Sequence, residues 1–295
     1  MKLRKFAKIL LSCVLAGALF TGCSDSAQQE AEKPGNNFSD KDVQLGMLTK
    51  LNTNGQQMTT FYDELSEKAG LHLEKHNVPK FYENLRTMQM AVEAGEIQEI
   101  SVYKCVADYI VKTNDKFEVV QNNALEKLRD SFCFAVRKDD TQLKADLDRI
   151  IGEMKADGSL DKLIDEYITK VSKGEVIPPP AVDIPKFDGA STIKVGITGD
   201  LPPLDLVLAD NKPAGFNTAL LAEIAKRLGR NIEVVQVETG GRAIALTSKH
   251  IDVVFWAVIP LGGTIPTDID KPKGLELSTP YFEDHVAHIK LKDKK

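Results

Sequence analysis

Apolar positions along this chain follow two periods that alternate. Asp42 to Leu48 (DVQLGML) repeats every second residue and predicts a strand, and Thr59 to Ala69 places Phe61 and Leu65 on one helical face. Leu71 to Asn77 predicts a further strand. Leu85 to Ala94 predicts a helix with Met88, Ala91 and Val92 inward, closed by Gly95, and Ile97 to Tyr103 another strand. Met88 and Met90 read as core filler. Ser131 to Arg137 (SFCFAVR) alternates, and Leu143 to Met154 and Leu160 to Val171 read as amphipathic helices separated by Gly158.

The same grammar returns after a proline-rich interval. Thr192 to Thr198 alternates as a strand, and Gly215 to Leu228 puts Phe216, Leu220, Leu221, Ile224, Ala225 and Leu228 on one stripe ending at Gly229. Ile232 to Val237 predicts a strand and Arg242 to His250 a helix. Ile251 to Ile259 (IDVVFWAVI) is a continuous apolar run of the kind buried on both faces. Alternating strand and helix imply α/β architecture with parallel sheets covered by helices. The interval itself, Ser172 to Ser191, holds four of the 13 prolines and reads as an extended linker. Residues 42–171 and 192–295 are thus expected to be two lobes joined by 172–191, with a cleft where strands end.

The start of the chain predicts export. Met1 to Lys8 is basic and Ile9 to Phe20 is apolar, too short for a bilayer span but long enough for a secretory signal. The run closes Leu19-Phe20-Thr21-Gly22-Cys23, which resembles the lipobox of bacterial lipoproteins and implies a signal peptide over 1–22 and a lipid on Cys23. Residues 23–41 are polar and lack apolar periodicity, as a flexible tether would. The 295 residues carry 38 Lys and Arg against 43 Asp and Glu; loss of the signal's four basic residues leaves 34 against 43. Such an acidic surface excludes nucleic acid and anionic lipid as partners held by charge. Of the cysteines remaining, Cys105 and Cys133 suit either a disulfide in an oxidising compartment or two buried thiols.

Residues 192–258 then carry a resemblance. Strand, Pro202-Pro203, Gly215-Phe216-Asn217, a helix ended by Leu228-Gly229 and the Leu246-Thr247-Ser248-Lys249-His250-Ile251-Asp252 strand entry look like the first lobe of bacterial amino-acid-type (family 3) solute-binding proteins of ABC transporters. Leu277-Ser278-Thr279-Pro280-Tyr281-Phe282 is similar to the step with which that lobe hands over to its partner. The motifs Asp42 to Gly46, Gly95 to Ile97, Val106 to Tyr109, Ala135 to Asp140 and Lys155 to Leu160 look like the second lobe. The resemblance implies a two-lobed periplasmic-binding-protein-like (type II) fold. It also implies lobes in circularly permuted order, with Val286 to Leu291 lying beside Lys41. One remaining hinge, or lobes pairing between chains, is the alternative.

The family's two anchors for an amino acid are absent. No Arg follows Trp256, where the carboxylate clamp would stand, and Tyr103 occupies the position of the ammonium-binding Asp. The remaining candidates lie at strand ends. Thr49, Lys50 and Asn52 align with a loop that donates hydrogen bonds to an anion; Tyr103 and Lys104 form the equivalent turn across the cleft. Asp200 follows the first strand of its lobe, either as a cation ligand or as a turn cap. Trp256 is read as a stacking surface or as core, and Arg242 as a replacement clamp or a surface residue. His72 with His76, and His285 with His288, lack the further ligands a metal needs, and no phosphate loop or nucleophile elbow is present. No cofactor, metal or enzymatic role is therefore expected. The leading expectation is a monomeric, lipid-anchored receptor capturing a small polar solute for an ABC permease; a sensory or scaffolding lipoprotein is the alternative.

Overall fold

The computed structural model describes residues 42–68, 76–121, 127–261 and 269–293. The first part of the chain forms β1 (Asp42–Leu48), α1 (Gly55–Lys68), β2 (His76–Tyr82), α2 (Leu85–Glu93), β3 (Glu99–Tyr103), α3 (Lys104–Thr113) and β4 (Phe117–Val119). It continues with β5 (Arg129–Arg137), α4 (Thr141–Ala156), α5 (Ser159–Ile164), a π-helical turn at Asp165–Thr169 and α6 (Lys170–Ser172). After the proline-rich interval come β6 (Thr192–Ile197), the short strands β7 (Asp200–Leu201), β8 (Asp205–Val207) and β9 (Pro213–Ala214), and α7 (Phe216–Leu228). The remainder is β10 (Asn231–Gln236), α8 (Arg242–Thr247), β11 (Val253–Leu261), β12 (Leu275–Leu277) and β13 (Phe282–Leu291). The signal, Cys23 and the tether expected at the start, like Lys41 and most of the strand expected at Leu71 to Asn77, lie outside the described residues. Among the described residues no helix is long and apolar enough to cross a membrane.

The strands are arranged in the order β10-β6-β11-β5-β13-β3-β1-β2. Two similar blocks meet in the middle. In one, β1 runs parallel to β2 and to β3, with Leu45 opposite Glu99, and β13 lies antiparallel on β3, with Val286 opposite Tyr103. In the other, β6 runs parallel to β10 and β11, and β5 lies antiparallel on β11. Each block therefore takes its antiparallel strand from the other part of the sequence. The two exchanged strands also pair with each other, Phe282 opposite Phe132.

This exchange corrects the boundary read from the sequence. Although β5, α4 and α5 precede the proline-rich interval, they belong with the sheet that follows it. Arg227 of α7 holds Asp157 at 2.7 Å and the Ser159 hydroxyl at 2.9 Å. The apolar run of β5, buried from Ser131 to Val136, needs a neighbour on each edge and finds them in β11 and β13. Residues 172–191 begin beside α3, where Gly174 lies next to Lys112, and then follow the second block, with Val182 N donating to Pro213 O and Phe187 N to Asn231 Oδ1. Within the first block, β13 is adjacent to β3, with β1 one strand further on.

Aromatic rings fill the seam between the blocks. Phe134 meets Phe255 and Tyr281, each at 4.8 Å between centroids, and Tyr103 meets Phe132 edge-on at 4.5 Å. All are buried. Met88 is fully buried in this core, as its place on the inner stripe of α2 requires. Met90, two residues on, is 61 % exposed, so only one of the two methionines is core filler. The entry to α7 depends on Gly215 at φ +90, where a side-chain Cβ would lie 2.7 Å from Pro203 O.

Candidate functional site

The carboxyl ends of β1, β3 and β11 converge on one pocket that is partly open to solvent. In open α/β sheets this is the end at which ligands collect. Met47 and Leu48 close β1, Tyr103 closes β3, and Trp256 and Val258 lie on β11. The walls are mainly apolar, completed by Met58, Leu201 and Ile269. Polar groups enter at a few points: Lys50, Thr53, Ser101, Arg129, Asp130 and Asp270.

Trp256 is placed by a local break in β11. Its backbone takes φ +44, and the pairing with β5 shifts register between Val254 and Ala257. Such a bulge turns a side chain out of the alternation its strand would impose. The indole is only 2 % exposed, lines the pocket, and its Nε1 is buried without a hydrogen-bond partner. The guanidinium of Arg242 lies 3.8 Å from the indole ring's centroid.

Arg242 is neither a clamp nor a surface residue. It is 1 % exposed and donates to carbonyl oxygens: Nε to Thr239 at 3.0 Å, Nη1 to Phe255 at 3.3 Å and Nη2 to Thr49 at 3.2 Å. Burial lowers its pKa to about 10. The bond to Thr49 O joins α8 of one block to the end of β1 in the other. Glu83 makes a second such tie: it accepts from the Thr49 hydroxyl at 3.0 Å and from Gly240 N at 2.6 Å, and its carbonyl accepts from the Thr239 hydroxyl.

The loop after β1, expected to donate to a bound anion, donates to the chain's own Asp270. Its Oδ1 accepts from Asn52 N at 2.8 Å, Thr53 N at 3.1 Å and the Thr53 hydroxyl at 3.3 Å. Asn52 and Thr49 are thereby occupied in contacts between segments and do not line the pocket. Lys50 does line it, 5.9 Å from the centre of the Tyr103 ring and without an ion pair among the described residues. The Tyr103 hydroxyl donates to Asp130 Oδ2 at 3.1 Å. Burial pushes the acid of Asp130 up, and Lys50 nearby works against that. Burial and the Asp130 charge also hold the Tyr103 phenol well above its ordinary range.

Asp200 stands apart from the pocket lining and faces the start of α2. Its Oδ2 accepts from Leu85 N at 2.7 Å, while Oδ1 is buried without a partner. Burial, reinforced by Asp205, raises its pKa to about 6. Lys104 is directed to Asp108, one turn along α3 at 2.6 Å, and is absent from the pocket. Cys105 and Cys133 are both free and buried, which resolves the open choice against a disulfide. Asp130, Asp270 and Glu83 were not expected. Asp130 had a faint signal as an acid heading an apolar strand; the other two are brought to the site by pairings distant in sequence. Among the described residues no cluster of His, Cys, Asp and Glu could hold a metal ion.

Of the eight expected ligand residues, the structure brings Lys50, Tyr103 and Trp256 to one pocket; Thr49, Asn52, Asp200 and Arg242 hold neighbouring segments together. Comparison with known proteins bears on the part of the chain that supplies Trp256. Residues 193–261 match the model of the bacterial extracellular solute-binding proteins, family 3. A probable histidine-binding protein of Campylobacter jejuni is 35% identical over 104 residues, 35% of this chain and 37% of that protein. The L-cystine-binding protein TcyJ of Escherichia coli K12 is 30% identical over 96 residues, 32% of this chain and 34% of its own. The chain thus spans about a third of the length of the curated relatives it matches. Among solved structures, the ligand binding component of an ABC-type import system from Staphylococcus aureus, with zinc bound, aligns at a TM-score of 0.43 and 11% identity, covering 85% of this chain and 66% of that one. The likeness to the bacterial extracellular solute-binding proteins, family 3, thus rests on residues 193–261.

Proposed function

We propose that this protein is an extracytoplasmic solute receptor, without enzymatic activity, that encloses a small molecule between its two blocks and delivers it to an ABC permease. The observation that carries this reading is the pocket itself. It gathers strand ends from both sheets, so a bound solute touches both and favours the arrangement in which they are closed around it. The matched relatives are named for binding histidine and cystine, which makes amino acids and related molecules the first solutes to try. The lipobox-like segment supports anchoring through lipid on Cys23, and the acidic composition supports a partner other than nucleic acid. The lobes are read as circularly permuted because β5 and β13 are exchanged between the blocks, although β13 pairs with β3 and not with β1, beside which that order would set it. A chain reconnected from Lys292 to Asp42 by a short linker, and opened within 172–191, tests that order: it should fold and melt as the original does, and failure to fold refutes it.

Trp256 is the sole tryptophan and lines the pocket, so its fluorescence reports occupancy directly. Titration with amino acids, short peptides and carboxylates should change emission saturably and raise the melting temperature by mass action. Silence across that set refutes solute capture. Binding without any loss of solute uptake when the protein is removed from cells favours the sensory reading over transport.

A further inference from the structure

We propose that the pocket selects a carboxylate with an apolar body, held by Lys50 and the indole N–H of Trp256, and that it requires no amino group on the ligand. This deepens the reading of the chain as a solute receptor and rests on it. The argument runs by elimination among the donors. The loop after β1, whose backbone donors would suit an anion, is filled by Asp270. Arg242 is spent on carbonyl oxygens, and Arg129 is paired with Glu283 at 2.9 Å. Among the described residues the Lys50 ammonium has no ion pair, and the Trp256 Nε1, on a side chain 2 % exposed, has no hydrogen-bond partner, while Arg129 in the same lining is turned to Glu283 through Nη2.

An orphaned indole N–H in a buried wall is costly unless an acceptor meets it, and a carboxylate has oxygens enough for both donors. Acidic groups are present, but both are engaged: Asp130 with the Tyr103 hydroxyl, Asp270 with residues 52 and 53. A ligand carboxylate thus meets the Lys50 ammonium, whereas a ligand ammonium meets acids already shared with Lys50, the Tyr103 hydroxyl and residues 52 and 53. The rest of the wall offers methyl and methylene groups, which reward apolar length.

The test is calorimetric titration of the full chain with acetate, butyrate, hexanoate, 3-phenylpropionate, 2-phenylethylamine and L-serine. Affinity should rise along the straight-chain acids by about fourfold per methylene, and 3-phenylpropionate should bind while 2-phenylethylamine does not. Lys50→Ala should weaken hexanoate by about tenfold or more, with Lys50→Arg restoring part of the loss. Lys50 is half-buried at the pocket rim, so these variants fold. Trp256→Phe, which keeps an aromatic face and removes the N–H, should weaken the same acid beyond what its smaller ring costs in melting temperature. Equal binding of the amine and the acid, or affinity indifferent to Lys50→Ala, overturns the proposal. Binding of L-serine with none of hexanoate overturns it while leaving solute capture intact; silence from every probe and from the amino-acid set overturns both.

Discussion

Replacing Asp200 by Asn is predicted to make the protein more stable above pH 6 and to leave it unchanged near pH 4. Asp200 is set at the beginning of α2 with one oxygen on Leu85 N at 2.7 Å and the other buried without a partner. Burial and the neighbouring Asp205 bring its pKa from 3.8 to about 6. In the unfolded chain the group loses its proton near pH 3.8. Between those values the folded protein holds a proton that the unfolded chain does not, so stability falls as pH rises from about 4 to about 6. A displacement of about two units corresponds to about 3 kcal/mol, fully felt above pH 6 and absent below pH 4. Asn carries no charge to bury and its side-chain oxygen still accepts from Leu85 N. The gain from Asp200 itself at pH 7.5 is therefore bounded by about 3 kcal/mol, or several degrees in melting temperature. Of the other carboxylates raised by burial, Asp130 and Asp284 are common to both proteins and cancel in the comparison, whereas Asp205, which interacts with Asp200, is relieved of a neighbouring charge and adds to the gain at high pH. Urea unfolding of both proteins at pH 4, 5, 6 and 7.5 measures the difference. A gap that stays constant with pH, or widens towards acid, refutes the account.

Further substitutions probe other contacts. Gly215→Ala combines a left-handed φ of +90 with a Cβ 2.7 Å from Pro203 O and 3.0 Å from Leu204 O, and should cost about 3 kcal/mol or more in urea unfolding, because both obstacles are backbone. Arg242→Ala strips the donor from carbonyls of Thr239, Phe255 and Thr49 and the cation from the Trp256 face, so a loss of about 3–5 kcal/mol and a shift in tryptophan emission are expected; a melt unchanged within a degree contradicts the buried geometry. Burial raises the Cys133 thiol to about 12 and Cys105 well above its ordinary value. Iodoacetamide at pH 8, followed by peptide mass analysis, should leave both unmodified in the native protein and label both in guanidinium.

The longer strands and most long helices were legible because each follows a period that its own residues carry, whereas α3 and the short strands β4, β7, β8, β9 and β12 were not read from the sequence. The run from Ile251 to Ile259 announced a strand buried on both faces, and Leu85 to Ala94 announced α2 to within a residue. What escaped is what depends on distant partners. Nothing local in SFCFAVR says that its edges belong between β11 and β13, since a doubly buried strand presents the same composition to any pair of neighbours. Arg242 looked like a surface group beside two glycines, and became a buried strut only because Thr49 of another sheet and the bulged turn at Trp256 offer it carbonyls. Lys104 could have been discounted from sequence: it precedes Asp108 by four residues in a segment with Cys105, Val106, Ala107 and Ile110 inward, the spacing of a helical ion pair.

The reciprocal strands bear on how the chain is assembled during synthesis. The edge of β3 that β13 covers is made early, whereas residues 286–290 emerge from the ribosome only after the whole second block has been translated. Until then the leading sheet exposes a bare apolar edge with unsatisfied amide groups, which is a template for mispairing. The first sheet consequently stays incomplete through nearly all of translation. If the chain is exported, as proposed above, that delay would keep it pliable until its passage is complete.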